Sequence, residues 1–163
     1  MSATVAERST AFTTRRRRED APIIAAVDGS ASGAAAARAA IPIAERLGAP
    51  IVFVYVRNGP SSAVGEPYYQ RRLDAETASA NRALGDALAA ADRAGVTASG
   101  EVLDGPPARR LVEFAGIRGA RLLVVGPRRP WRFGRSVSRK VQRDADRPVF
   151  AADAMPIARP APV

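Results

Sequence analysis

The chain has 163 residues, 25 Lys plus Arg against 16 Asp plus Glu for a formal net charge of +9, and 47% hydrophobic residues. That length and composition fit one domain with enough apolar material for a core and exclude two large domains. With no Cys and no His, disulfides, thiolate metal sites, Cys nucleophiles, His general bases and every Ser-His-Asp arrangement are ruled out.

A chain without cysteine is untroubled by a reducing cytoplasm, the compartment expected here. No apolar run approaches the ~20 residues that span a bilayer. The stretch Ala21 to Val27 that follows Arg15 to Arg18 is closed by Asp28, so neither export nor membrane attachment is expected. The charge is concentrated: residues 121 to 147 hold eight arginines and Lys140 against Asp144 and Asp146, a net of +7. Only Trp131 and Phe133 accompany those arginines, whereas general polyanion binders interleave basic and aromatic residues along several elements. Nucleic acid is therefore not an expected partner.

Residues 1–20 lack hydrophobic period and read as a basic tail, with Arg15 to Arg18 a solubilising run. Residues 154–163 read as a Pro-rich tail, leaving 21–153 as the folded domain. Pro22 to Asp28 reads as a first strand, and Ser30 or Ser32 caps an alanine-rich helix that stops near Leu47 and Gly48. Ile51 to Val56 is too apolar for a sheet with one wet face and belongs inside a parallel sheet. After a Pro/Gly/Ser loop, Leu73, Thr77, Ala80, Leu84, Leu88 and Ala91 recur at helical spacing up to Gly95.

The stretch Val96 to Leu103 is a more polar strand suited to an edge, and Pro107 opens a helix that Gly119 stops. Leu122 to Val125 is a second buried strand. Arg135 to Ala145 reads as a helix with Val137 and Val141 inward, and Pro148 to Ala152 as the last strand. Strict βαβαβαβαβ alternation demands right-handed crossovers and a doubly wound, five-stranded parallel sheet with helices on both faces. Such sheets bind ligands at the carboxyl ends of their strands, where the winding reverses. That rule singles out Val27-Asp28-Gly29-Ser30 and Val125-Gly126-Pro127-Arg128.

A carboxylate at Asp28 can accept from a ribose hydroxyl or an exocyclic amine, or satisfy only the amides of its own turn. Gly126 lets backbone amides approach a phosphate closely. Ser136 and Ser138, at the start of the next helix, offer hydroxyls to the same anion, or cap that helix. Arg128, Arg129, Arg132, Arg135 and Arg139 crowd that helix start, where the dipole disfavours cations by roughly 0.3 to 1 kcal/mol each. An anion would relieve the arrangement, unless the arginines simply point into solvent. The Arg135, Arg139, Arg143 stripe beside Lys140 reads as an anion-attracting or merely solvated helix face.

Ile23 to Ser30, the strand end Val54-Tyr55-Val56, and the run from Leu123-Val124-Val125-Gly126 through Ser136-Val137-Ser138 to Arg147-Pro148-Val149 together resemble the universal stress protein family. The resemblance covers residues 21 to 153. It implies a strand order of 3-2-1-4-5, a homodimer paired through the last strand, and a ligand site at Asp28, Val56, Gly126, Arg128, Arg129, Arg135, Ser136, Val137 and Ser138. In nucleotide-binding members the phosphate loop resembles G-x-x-G, nine residues, then G-[ST]. Here Gly126 matches the first position, Arg129 and Arg135 replace two glycines, and Pro130 to Gly134 leave a gap of five residues. Pro127 and Pro130 also lack an N–H that could hold a phosphate.

The expectation is a regulatory module that binds ATP, another adenine nucleotide or a different phosphorylated small molecule weakly, with no catalysis and no metal. The alternative is a protein-interaction module of the same fold with its crevice closed by Trp131 and Phe133. A slow phosphohydrolase, with Asp28 as its base, has the least support.

Overall fold

A computed structural model describes residues 20–58, 65, 67–127 and 136–152. The expectations for residues 1–19 and 153–163, and for Arg128, Arg129, Trp131, Arg132, Phe133 and Arg135, lie outside the described residues. In chain order the elements are β1 (Ile23–Ala26), α1 (Ala31–Leu47), β2 (Ile51–Arg57), α2 (Tyr68–Arg93), β3 (Ala98–Asp104), α3 (Pro107–Ile117), β4 (Leu122–Val125), α4 (Val137–Asp144) and β5 (Val149–Ala151). The five strands form one all-parallel sheet in the order β3-β2-β1-β4-β5, with Ile23 in register with Ile51 on one side and Leu122 on the other. Winding reverses between β1 and β4, which makes their carboxyl ends the switch point of the sheet.

Successive residues of a strand point to opposite faces, so the apolar runs of β1, β2 and β4 supply two cores at once. Ile23, Ala25, Ile51, Phe53 and Val124 pack under α1 and α2, while Ile24, Val52, Val54, Leu123 and Val125 pack under α3 and α4. The outer strands differ: β3 has no fully buried position, only partly buried and exposed ones, and β5 leaves Phe150 43% exposed.

Small residues set how α1 sits on the sheet, because its buried positions are Gly33, Ala36, Ala37, Ala40 and Ala44. Pro42 lies inside this helix and removes one i→i−4 bond, but Arg38 and Pro42 are both exposed, so water can reach the orphaned carbonyl. Ser30, not Ser32, caps α1, its Oγ accepting from the Gly33 N–H at 3.2 Å. At the other end Gly48 takes φ 58° and its N–H reaches the last-turn carbonyls of Ala44 and Glu45, a left-handed ending that glycine adopts at no steric cost.

Several details depart from the sequence expectation. β1 ends at Ala26 rather than Asp28, although the Val27 N–H still bonds the Val54 carbonyl at 3.0 Å. β3 begins at Ala98 rather than Val96, because the Val96 N–H is taken by the Ala91 carbonyl as α2 closes through Gly95 at φ 68°. α2 starts at Tyr68, ahead of the apolar stripe that opens at Leu73, since its first turns are solvated. Val137, expected inward with Val141, is 38% exposed while Val141 is fully buried, because the first turn of α4 faces a cleft and not the core. Among the described residues no helix is long and apolar enough to cross a membrane.

Candidate functional site

At the carboxyl ends of β1, β2 and β4 lies a cavity of about 140 Å³, between the N-termini of α1, α3 and α4. Its apolar wall is Ala26, Val54, Val56, Pro107, Leu111, Val125 and Val137, and its polar margin is Asp28, Ser32, Gly33, Gly126 and Ser138. Five expected residues therefore share one cleft: Asp28, Val56, Gly126, Val137 and Ser138. Ser136 is the N-cap of α4, its Oγ accepting from the Arg139 N–H at 3.4 Å. Arg128, Arg129 and Arg135 lie outside the described residues.

The geometry at Asp28 is specific. Its Oδ1 accepts from the Ser30 backbone N–H at 3.0 Å and from the Ser30 hydroxyl at 2.6 Å, while the Oδ2 makes no hydrogen bond among the described residues. Gly33 lies against the same carboxylate, and a Cβ there would collide with Asp28 Oδ1 and come within 2.6 Å of its backbone nitrogen. Asp28 thus serves its own turn through Oδ1.

Gly126 is small for a related reason. A Cβ at this position would run into Ser32 Oγ and stand 2.6 Å from the Ser32 carbonyl oxygen, so only glycine lets the end of β4 pass the first turn of α1. Ser138 is 8% exposed and donates its hydroxyl to the Gly126 carbonyl at 2.9 Å. That bond ties α4 to β4 and commits a hydroxyl that the sequence offered to an anion.

Beyond Val56, Arg57 grips Asp104 with two bonds, Nε to Oδ1 at 2.8 Å and Nη2 to Oδ2 at 2.9 Å, clamping the ends of β2 and β3 together. The guanidinium hydrogen bond holds the Asp104 carboxyl below its ordinary range. Both partners reach solvent, so the clamp orients the rim more than it stabilises the fold. On the α1/α2 side of the sheet, burial raises the Tyr55 phenol above its ordinary range, and the Glu76 and Asp28 carboxylates push the same way.

Sequence reasoning missed Ser32, Gly33, Pro107 and Leu111 as parts of the cleft. Pro107 and Leu111 read in sequence as a helix start and a core position, and no local signal separates a cleft wall from a core. Gly33 had a signal, a glycine in the first turn of an alanine-rich helix, where only a close approach justifies the loss of helix propensity. Among the described residues no group of acidic side chains is arranged to hold a metal ion.

A doubly wound parallel sheet with helices on both faces and an apolar cleft at its switch point defines the class of three-layer α/β domains. The profile of the universal stress protein family matches residues 21–152. A universal stress family protein from Burkholderia pseudomallei is 30% identical, with a TM-score of 0.70 over 83% of this chain and 98% of that one. The universal stress protein of Archaeoglobus fulgidus in complex with dAMP is 26% identical, with a TM-score of 0.63 over 80% of this chain and 96% of that one. A universal stress protein in complex with cAMP is also 26% identical, with a TM-score of 0.65 over 80% and 95%. Among curated proteins none matches the chain. The chain belongs to the universal stress protein family.

Proposed function

We propose that this protein is a non-catalytic regulatory module of the stress response that takes an adenine nucleotide weakly in the cleft between β1 and β4, acting in the cytoplasm as a homodimer. The observation that carries the reading is the Asp28 carboxylate at the margin of an apolar cleft, its Oδ2 without a hydrogen bond among the described residues and its neighbouring walls suited to a flat ring. Relatives solved with cAMP and dAMP support adenine as the ring.

Weak binding follows from size and from the phosphate loop. A cleft of about 140 Å³ falls below the ~300–1,000 Å³ of sites that enclose drug-sized ligands, so it takes a base and leaves sugar and phosphate outside. The phosphates would then meet the N-termini of α3 and α4, where the helix dipole favours anions. The glycines that cradle them in the family pattern are replaced by Arg129 and Arg135.

Titration with AMP, ATP and inorganic phosphate, in wild type and Asp28→Ala, tests this function. Loss of one partner of a hydrogen bond to a charged group should weaken AMP and ATP by about 1 to 3 kcal/mol and leave phosphate unaffected. Unchanged or tighter AMP binding in the variant refutes the nucleotide reading. Absence of AMP binding by wild type at millimolar concentration favours the protein-interaction module of the same fold, which the small cleft volume also suits.

The homodimer rests on β5, whose outer edge is unpaired in the sheet order and carries the half-exposed Phe150. An open apolar edge is a pairing surface unless covered, and a two-fold contact would close it on both copies. Analytical ultracentrifugation at micromolar concentration should show a dimer that Phe150→Lys dissociates; a wild-type monomer refutes the assignment.

A further inference from the structure

We infer that Ser30 is a positioning residue for the ligand site, acting through Asp28; the inference rests on the nucleotide reading above. The Gly33 N–H donates to Ser30 Oγ at 3.2 Å, the Ser30 hydroxyl donates onward to Asp28 Oδ1 at 2.6 Å, and the Ser30 backbone N–H reaches the same oxygen at 3.0 Å. The first turn of α1 is thereby wired to one oxygen of the carboxylate. With both lone-pair directions of Oδ1 occupied and Gly33 packed against it, rotation of the carboxylate would break two hydrogen bonds and bring Oδ1 out of its slot.

Ser30 therefore fixes the plane in which the carboxylate lies. A carboxylate held in this way presents its acceptors in one plane and needs no reordering when a donor arrives, which is how preorganisation raises affinity. A freely rotating Asp28 would present its acceptors in no fixed plane and lose part of that advantage.

Ser30 also caps α1, so a simple loss of binding in a Ser30 variant would not separate positioning from helix stability. A double-mutant cycle does. AMP affinity is measured by calorimetric titration of the full chain as wild type, Ser30→Gly, Asp28→Ala and the double variant, with Ser30→Thr as the conservative control. Glycine is chosen because it is itself well tolerated at a helix N-cap, and it retains the backbone N–H.

Ser30→Gly should weaken AMP binding roughly five- to tenfold in the wild-type background, of the order of one hydrogen bond, and by nothing further in the Asp28→Ala background. Ser30→Thr should restore wild-type affinity. An equal loss in both backgrounds overturns the inference while leaving the nucleotide reading intact, because serine would then act on the fold alone. A Ser30→Gly affinity equal to wild type overturns it in the same way. AMP binding that ignores Asp28→Ala removes the nucleotide reading and the inference together.

Discussion

Gly126→Ala should destabilise the protein by about 3 kcal/mol or more, the upper end of what overpacking costs. The added Cβ would meet the Ser32 side chain and also the Ser32 carbonyl group, whose oxygen and carbon lie 2.6 and 2.8 Å away. A side chain could swing aside; a helical backbone cannot move without lifting the first turn of α1 from the sheet. The same displacement would disturb Asp28 and the Gly126 carbonyl to which Ser138 donates, so AMP binding should fall with stability. Urea unfolding midpoints test the first effect, and Gly85→Ala supplies the control. Gly85 lies in α2 with nothing within 4 Å of an added Cβ, and alanine there should stabilise by roughly 0.5 to 1 kcal/mol. Equal midpoints for the two variants would refute the steric account of Gly126.

Phe53→Ala should cost about 3 to 5 kcal/mol, the range for removing a buried aromatic ring. Phe53 is fully buried on β2, between the sheet and the α1/α2 layer, and is the largest side chain with that degree of burial among the described residues. The core cluster it shares is rich in alanine, with Ala36, Ala37, Ala40 and Ala44 from α1 and Ala87 and Ala91 from α2, which offer little side chain to fill the space. The cavity should therefore persist and the loss approach the upper figure. Thermal or denaturant unfolding measures it, and a loss under about 1.5 kcal/mol would mean that the two layers collapse around the gap.

The sheet was legible because Ile51 to Val56 and Leu122 to Val125 are apolar on both faces, a pattern that only a strand covered on both sides satisfies. The edge position of β3 followed from its polarity in the same way. Boundaries set by hydrogen bonds, not by hydrophobicity, were not legible: Val96 is as apolar as a strand residue, yet its N–H completes the end of α2. Val137 misled because eight residues of α4 give little more than two turns of periodicity, too few to tell a core face from a cleft face. Asp28 could be placed at a strand end from its position alone. Which of its oxygens is occupied depends on Ser30 rotating its hydroxyl back across the turn, and no spacing rule encodes that.

The alanine face of α1 ties the shape of the cleft to residues that do not line it. Because the helix is seated by methyl groups and Gly33, the distance between its first turn and the end of β4 is set by the buried row Ala36, Ala37, Ala40 and Ala44. Enlarging any of them would act as a shim under the helix, widening the gap between Ser32 and Gly126 by the thickness of the added carbons. Divergence of this family toward bulkier ligands thus has a route through hidden positions. The residues lining the cleft could stay unchanged while the spacing of its walls evolved from beneath.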